Sequence, residues 1–243
     1  MEPETDKREG VKSSDPEEQD RLHASETPPR HPSGRIDREH PPGAEMSDIV
    51  RGLFRHLSLP WLTQHYAQTP VLAIFSFING CISIGLMSAL ALITRTPFIF
   101  PSLGPTAFLF FYTPRAPSAS PRNTLVGHTI GVLAGYFSLV VTGLTAAGPA
   151  LAVGVTWPRV IAAALSLGLT SGLMVLFKSP HPPAGATTLI ISLGILTKPW
   201  QLLLLLVAVV LLTMQAFAIN RLAGIPYPLW SPIKEKDGSS AST

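Results

Sequence analysis

The chain has 243 residues with 24 prolines, 19 glycines and one cysteine, and its formal net charge of +3 conceals two unlike regions. Thirteen of the 15 acidic residues lie in the first 48 positions, and none occurs between Ile49 and Lys234, a span that carries ten Lys and Arg. A lone Cys81 excludes a disulfide framework. The scattered basic residues, with no nucleotide-binding loop, metal-ligand cluster or nucleophile elbow, give no ground for a nucleic-acid partner, a metal or a cofactor.

Residues 1–46 are rich in Glu, Asp, Pro, Ser and Arg and poor in aliphatic side chains, which reads as a disordered cytoplasmic tail. Its His40-Pro41-Pro42 sits in this solvated setting. In residues 47–69 the helical spacing of Ile49, Leu53, Phe54 and Leu57, with Arg51 and Arg55 on another face, predicts a basic segment lying on a membrane surface. Six apolar runs follow, at 71–93, 97–112, 124–146, 160–177, 183–197 and 201–219. About 20 apolar residues cross a bilayer, so runs one, three, four and six are spanning candidates. Runs two and five are short and interrupted by Pro and Gly, which predicts broken or half-helices. Trp61, Trp157, Trp200 and Trp230 flank the runs as interfacial anchors do. Residues 223–243 read as a C-terminal tail.

If all six runs cross with the amino terminus inside, eight basic residues are cytoplasmic and Arg95, Arg159 and Lys198 are not. If runs two and five only dip in and return, the ratio falls to six against five. The positive-inside rule favours six crossings, both termini cytoplasmic, in a plasma membrane assigned as bacterial.

The fifth run opens with Pro180-His181-Pro182-Pro183-Ala184-Gly185-Ala186-Thr187-Thr188. Proline removes a backbone donor and clashes with the preceding turn, so a helix must start, stop or break here. Pro101-Ser102-Leu103-Gly104-Pro105-Thr106 and Pro182-Pro183-Ala184-Gly185-Ala186-Thr187 share the frame P-x-x-G-x-T, 81 residues apart. The preceding runs repeat small residues at every fourth position: Cys81, Gly85 and Ala89, then Ala164, Gly168 and Gly172. The expected fold is therefore an all-α polytopic membrane bundle with a 3+3 inverted repeat, its halves meeting at broken helices. The third segments match poorly, since Gly127, Gly131 and Gly135 form a packing stripe with no counterpart in run six.

From Gly104 and from Pro183 the remaining apolar stretches reach only about 12 and 21 Å, so each helix is expected to begin below the membrane surface. A helix start offers unpaired N–H groups and partial positive charge, which suit an anion. Ser102, Thr106, Thr187 and Thr188 add hydroxyls, and Gly104 and Gly185 are expected to open the backbone to close approach. No Asp or Glu is available to build a cation site. Two histidines remain in the membrane body, His181 and His128, and an ionisable side chain at that depth is a functional candidate. Arg122 and Asn123, ahead of His128, are candidates for the mouth of a path.

His181-Pro182-Pro183-Ala184-Gly185-Ala186-Thr187, with Pro121-Arg122-Asn123 and Gly127-His128, resembles the HPP family of integral membrane proteins over about residues 65–222. That resemblance implies four membrane-spanning segments and, by its plastid and cyanobacterial members, nitrite transport. The combined expectation is a transporter or facilitator for a small inorganic anion, not an enzyme. Its partners are the lipid bilayer and the anion, and a homo-oligomer is compatible with it. The alternatives are a non-transporting membrane scaffold and a histidine-dependent membrane enzyme, the latter disfavoured because no carboxylate can assist the histidines.

Overall fold

The computed structural model describes residues 58–233, and all regular structure among them is helical. The tail at 1–46, residues 47–57 of the surface segment at 47–69 and residues 234–243 lie outside the described residues. The helices are α1 (Leu59–His65), α2 (Gln68–Thr94), α3 (Leu103–Tyr112), α4 (Pro121–Val141), α5 (Ala150–Val153), α6 (Trp157–Leu176), α7 (Pro183–Ser192) and α8 (Pro199–Leu222). A 3-10 turn, Pro117–Ala119, precedes α4.

Four helices, α2, α4, α6 and α8, are long and apolar enough to cross a bilayer. The other two apolar runs each yield a helix of ten residues, about 15 Å long and too short to span. The chain expected to be helical from 97 enters α3 only at Leu103, because α2 ends in a left-handed Arg95 (φ 52°) and Thr96 precedes a proline that disfavours helix. The run expected over 183–197 ends at Ser192, and Gly194 then turns the chain with φ 81°. The run expected over 124–146 starts earlier, at Pro121 behind the cap residue Ser120, and stops at Val141.

The ends of these helices are tied by named hydrogen bonds. Leu59 N–H donates to the Ala223 carbonyl at 2.9 Å and Asn220 Nδ2 to the Phe110 carbonyl at 3.0 Å. Arg122 donates through its backbone to Trp230 at 3.1 Å and through its guanidinium to the Phe177 and Lys178 carbonyls, each at 3.3 Å. The starts of α2 and α4 and the ends of α3, α6 and α8 therefore lie at one end of the bundle. At the other end, Arg159 at the start of α6 donates to Ser192, the last residue of α7, at 2.9 Å. Successive long and short helices thus alternate in direction, and the described chain begins and ends at the same end.

The centre of the bundle is α4, with 56% of its apolar window buried against 17% for α2. On one side of it α3 is enclosed: Leu103, Phe110 and Phe111 are fully buried and share a core with Leu205, Val209 and Leu212 of α8. On the other side lie α6 and α7. Burial of this kind fixes which face of each short helix points inward, and so which hydroxyls meet at the centre.

Candidate functional site

The approach of α7 to α4 is set by glycine. A Cβ built on Gly127 would stand 2.7 Å from the His181 Cβ, and one on Gly131 would stand 2.7 Å from the Ala184 carbonyl oxygen. One on Gly135 would meet the Ile191 Cβ at 2.9 Å. Such distances leave no room for a methyl group, so the stripe predicted for packing is the seat of α7. The contacts also give the direction: α4 and α7 run parallel, and the start of α7 is set beside the second turn of α4, where His128 stands.

This seating assembles a buried polar cluster from three helices and a loop. His128 Nδ1 lies 2.7 Å from the Thr187 hydroxyl on α7, and its Nε2 lies 3.0 Å from the Thr106 hydroxyl on α3. His181 Nε2 stands 3.2 Å from His128 Nε2 and 3.4 Å from Thr106. His181 Nδ1 lies 2.7 Å from the Ser118 carbonyl and 3.4 Å from the Thr124 hydroxyl. The two rings are 4.9 Å apart at 56°, and Thr106, Thr124, His128, His181 and Thr187 have no accessible surface. Thr106 and Thr187 occupy the same place in the repeated frame, and each holds one nitrogen of a single imidazole.

Chemistry assigns the hydrogens. A carbonyl only accepts, so His181 donates from Nδ1 to Ser118 and its Nε2 carries a lone pair when the ring is neutral. Thr106 donates its hydroxyl to the Ser102 carbonyl at 2.9 Å, so its oxygen accepts from elsewhere. His128 therefore donates from Nε2 toward His181 and Thr106, and its Nδ1 accepts from the Thr187 hydroxyl. The result is a one-way chain, Thr187 to His128 to His181 to Ser118, with every ring nitrogen satisfied and no charge required.

Of the other residues expected at the site, Ser102 at the start of α3 and Thr188 midway along α7 are fully buried, and their hydroxyls have no hydrogen-bond partner among the described residues. Pro183 is buried as the first residue of α7, whereas Pro182 is exposed. Gly185 is half-buried against Leu167 of α6. A groove of about 580 Å³ between α6 and the start of α7 is lined by Ser171, Lys178, His181 and Gly185. Gly104 stands apart, exposed and with no atom within 4 Å of a built Cβ, so the close approach expected there is not made by any described part of the chain. Arg122 is half-buried outside the cluster, holding the carbonyl end of α6 and the Asn123 side chain at 3.0 Å. Asn123 in turn donates to the Pro117 carbonyl at 2.9 Å and fixes the turn that presents Ser118.

Three contributors escaped the sequence reading. Thr124 precedes His128 by four residues on α4, a spacing that puts both on one helix face, and this signal was available. Ser118 acts through its carbonyl, which no side-chain pattern reveals. Arg159, expected only as a boundary charge, is 2% exposed and donates to Ser192 and, at 2.8 Å, to the Gly148 carbonyl. It thereby pins the far end of α7 as the His181–Ser118 bond pins the near end. Tyr227, past α8, donates its hydroxyl to the Ala119 carbonyl, and burial pushes its phenol well above the ordinary value.

Comparison with known proteins agrees with this architecture. Two transmembrane proteins of Dictyostelium discoideum are similar, one 31% identical over 105 residues and the other 34% identical over 96. The first match covers 43% of this chain and 33% of the relative, the second 40% and 28%, so the chain spans about a third or less of the curated relatives it matches. No solved structure matches. The profile describing the HPP transmembrane region matches residues 65–228, which takes in all six apolar helices and the histidine cluster. With four helices of spanning length and this match over most of its length, the chain is an integral membrane protein that belongs to the HPP transmembrane family.

Proposed function

We propose that the protein is a transporter or facilitator for a small inorganic anion, nitrite among the candidates, with the substrate held at the histidine cluster. The observation that carries this reading is the meeting of two short antiparallel helices at the two nitrogens of His128, through Thr106 in the first turn of α3 and Thr187 in the second turn of α7. Opposed half-helices meeting in the interior of a bundle are a recurrent way of holding a substrate, and first turns favour negative charge. The halves from which they come are read as an inverted repeat. At the start of α7 the prolines lack N–H groups and those of Ala184 and Gly185 are taken by the His181 and Pro182 carbonyls, so the unpaired N–H groups expected there are not free. The donors are instead the buried, unpartnered hydroxyls of Ser102 and Thr188. No Asp or Glu occurs between Ile49 and Lys234, so no carboxylate there competes with an anion for these donors.

The same surroundings disfavour a histidine-dependent enzyme, because both rings are oriented by hydroxyls, by each other and by a carbonyl, and no carboxylate raises their basicity. The end of the bundle that holds both ends of the described chain is assigned to the cytoplasm by the excess of basic residues.

The test is uptake by purified protein in vesicles, across nitrite, nitrate, formate, bicarbonate and chloride. His181→Ala, which removes the ring between His128 and Ser118, is expected to lower uptake at least about tenfold, an effect of about 1.4 kcal/mol on the transport barrier. Gly185→Leu is expected to lower it as well, by filling the groove beside His181. Undiminished uptake in both variants would remove the substrate from this cluster. A scaffold role predicts instead that no anion in the panel enters faster than in empty vesicles.

A further inference from the structure

We propose that the anion enters the site together with one proton, which is held on the His128–His181 pair, so that each transport cycle moves no net charge. The inference rests on the anion-transporter reading and adds its coupling ion. It starts from what surrounds the pair. On α3 the facing groups are Ser102 and Thr106, and on α7 they are Thr187 and Thr188, none of which ionises near neutral pH. The turn before α4 contributes the Ser118 carbonyl. The charged groups nearest are both cations: Arg122 on α4, bound to the carbonyls of Phe177 and Lys178, and Lys178, which lines the same groove as His181. On α6, Arg159 is turned to the far end of the bundle, on α8 Arg221 lies over Phe217, and beyond α8 Tyr227 bonds Ala119. No carboxylate faces the rings from any described element.

An imidazolium in this enclosure has no counter-ion in the protein, and burying an unpaired charge is costly. A bare anion beside two neutral rings is in the same position. Each charge supplies the partner that the other lacks, so the loaded site is anion plus proton and the unloaded site is neutral. Independent binding of either is penalised, which by linkage is coupling.

The hydrogen-bond chain fixes the number of protons. In the neutral state each ring has one lone pair, that of His181 Nε2 facing the N–H of His128 and that of His128 Nδ1 accepting from the Thr187 hydroxyl. A proton arriving at His128 Nδ1 forms one N–H bond, displaces the Thr187 hydroxyl hydrogen from that lone pair, and leaves the His128–His181 and His181–Ser118 bonds as they were. Thr187 then accepts from His128, and its own O–H is free to donate to the anion. A second proton would have to go on His181 Nε2, which already faces the donating Nε2 of His128 at 3.2 Å, placing two N–H groups and two positive charges head to head. One proton per anion is therefore the capacity of the pair, and both depart together on release.

The experiment uses the full-length protein in vesicles with nitrite and, separately, nitrate, subtracting entry into protein-free vesicles. A pH difference and a membrane potential are imposed independently with ionophores. One-to-one coupling predicts accumulation in the more alkaline compartment of about tenfold per pH unit, with no response to potential. His128→Asn, checked for native elution by size-exclusion chromatography, is expected to lose that accumulation. Accumulation that follows the potential and ignores the pH difference overturns the coupling and leaves the transporter reading standing. So does a folded His128→Asn variant that still accumulates anion with the pH gradient. Failure of wild type to take up either anion overturns the reading and the coupling together.

Discussion

Replacing Gly131 with alanine is expected to destabilise the bundle markedly. The added Cβ would lie 2.7 Å from the Ala184 carbonyl oxygen and 3.5 Å from the Thr187 Cβ, and the first of these is backbone, which cannot rotate away. Either α7 shifts outward or the contact is borne as strain, and overpacking of this kind costs about 1–3 kcal/mol. An outward shift also stretches the 2.7 Å bond between Thr187 and His128, so the stability loss should be accompanied by loss of uptake. Gly168 and Gly172 on α6 supply the contrast. Both are exposed, a Cβ on either would meet nothing within 4 Å, and alanine there should be neutral or stabilising by up to about 1 kcal/mol. Unfolding in detergent, followed by tryptophan fluorescence against temperature, separates the two classes. Equal midpoints for Gly131→Ala and Gly172→Ala would refute this account of how α7 is seated.

The second large effect concerns the two threonines of the repeated frame, and here sequence position and structure part company. By the frame, Thr106 and Thr187 are equivalent. By the hydrogen bonds, they are not. Thr187→Val leaves His128 Nδ1 buried without a donor, and flipping the ring hydrogen to that nitrogen leaves it without an acceptor, so no tautomer repairs the loss. An unsatisfied buried group of this kind costs about 1–3 kcal/mol. Thr106→Val removes one of two acceptors from His128 Nε2, and His181 remains at 3.2 Å to take the hydrogen. Its cost should be nearer the net value of an ordinary hydrogen bond, about 1 kcal/mol. Thr187→Val should therefore melt lower and transport less than Thr106→Val. The reverse order, in stability or in uptake, would contradict the assigned direction of the chain.

Much of the fold was legible because a bilayer leaves few options. Apolar length alone located α2, α4, α6 and α8, and proline positions marked where α3 and α7 had to be short. What pattern could not supply was the end of each element, since αL residues such as Arg95 and turns such as that at Gly194 are conformations, not hydrophobicities. The site was half legible. His128, His181, Thr106 and Thr187 could be named because ionisable and hydroxyl groups stand out in an apolar chain. That they meet at one ring depends on a parallel α4–α7 packing that no spacing encodes. Gly104 misled for a related reason: its place in the frame matches Gly185, yet it faces outward while Thr106, two residues on, faces in. Arg159 looked like a topology charge because its partners, the carbonyls of Gly148 and Ser192, are invisible to side-chain patterns.

The two ends of α7 are fastened to different neighbours, His181 to the turn before α4 and Ser192 to Arg159 at the start of α6. With glycines underneath it along its whole length, α7 is a strut riveted to α4 and α6, and those three helices form one block. Among the described hydrogen bonds, α3 reaches this block through Thr106 alone, while Asn220 of α8 holds its other end. Thr106 thus joins two separately anchored parts of the bundle, and it does so at the imidazole that the two short helices share.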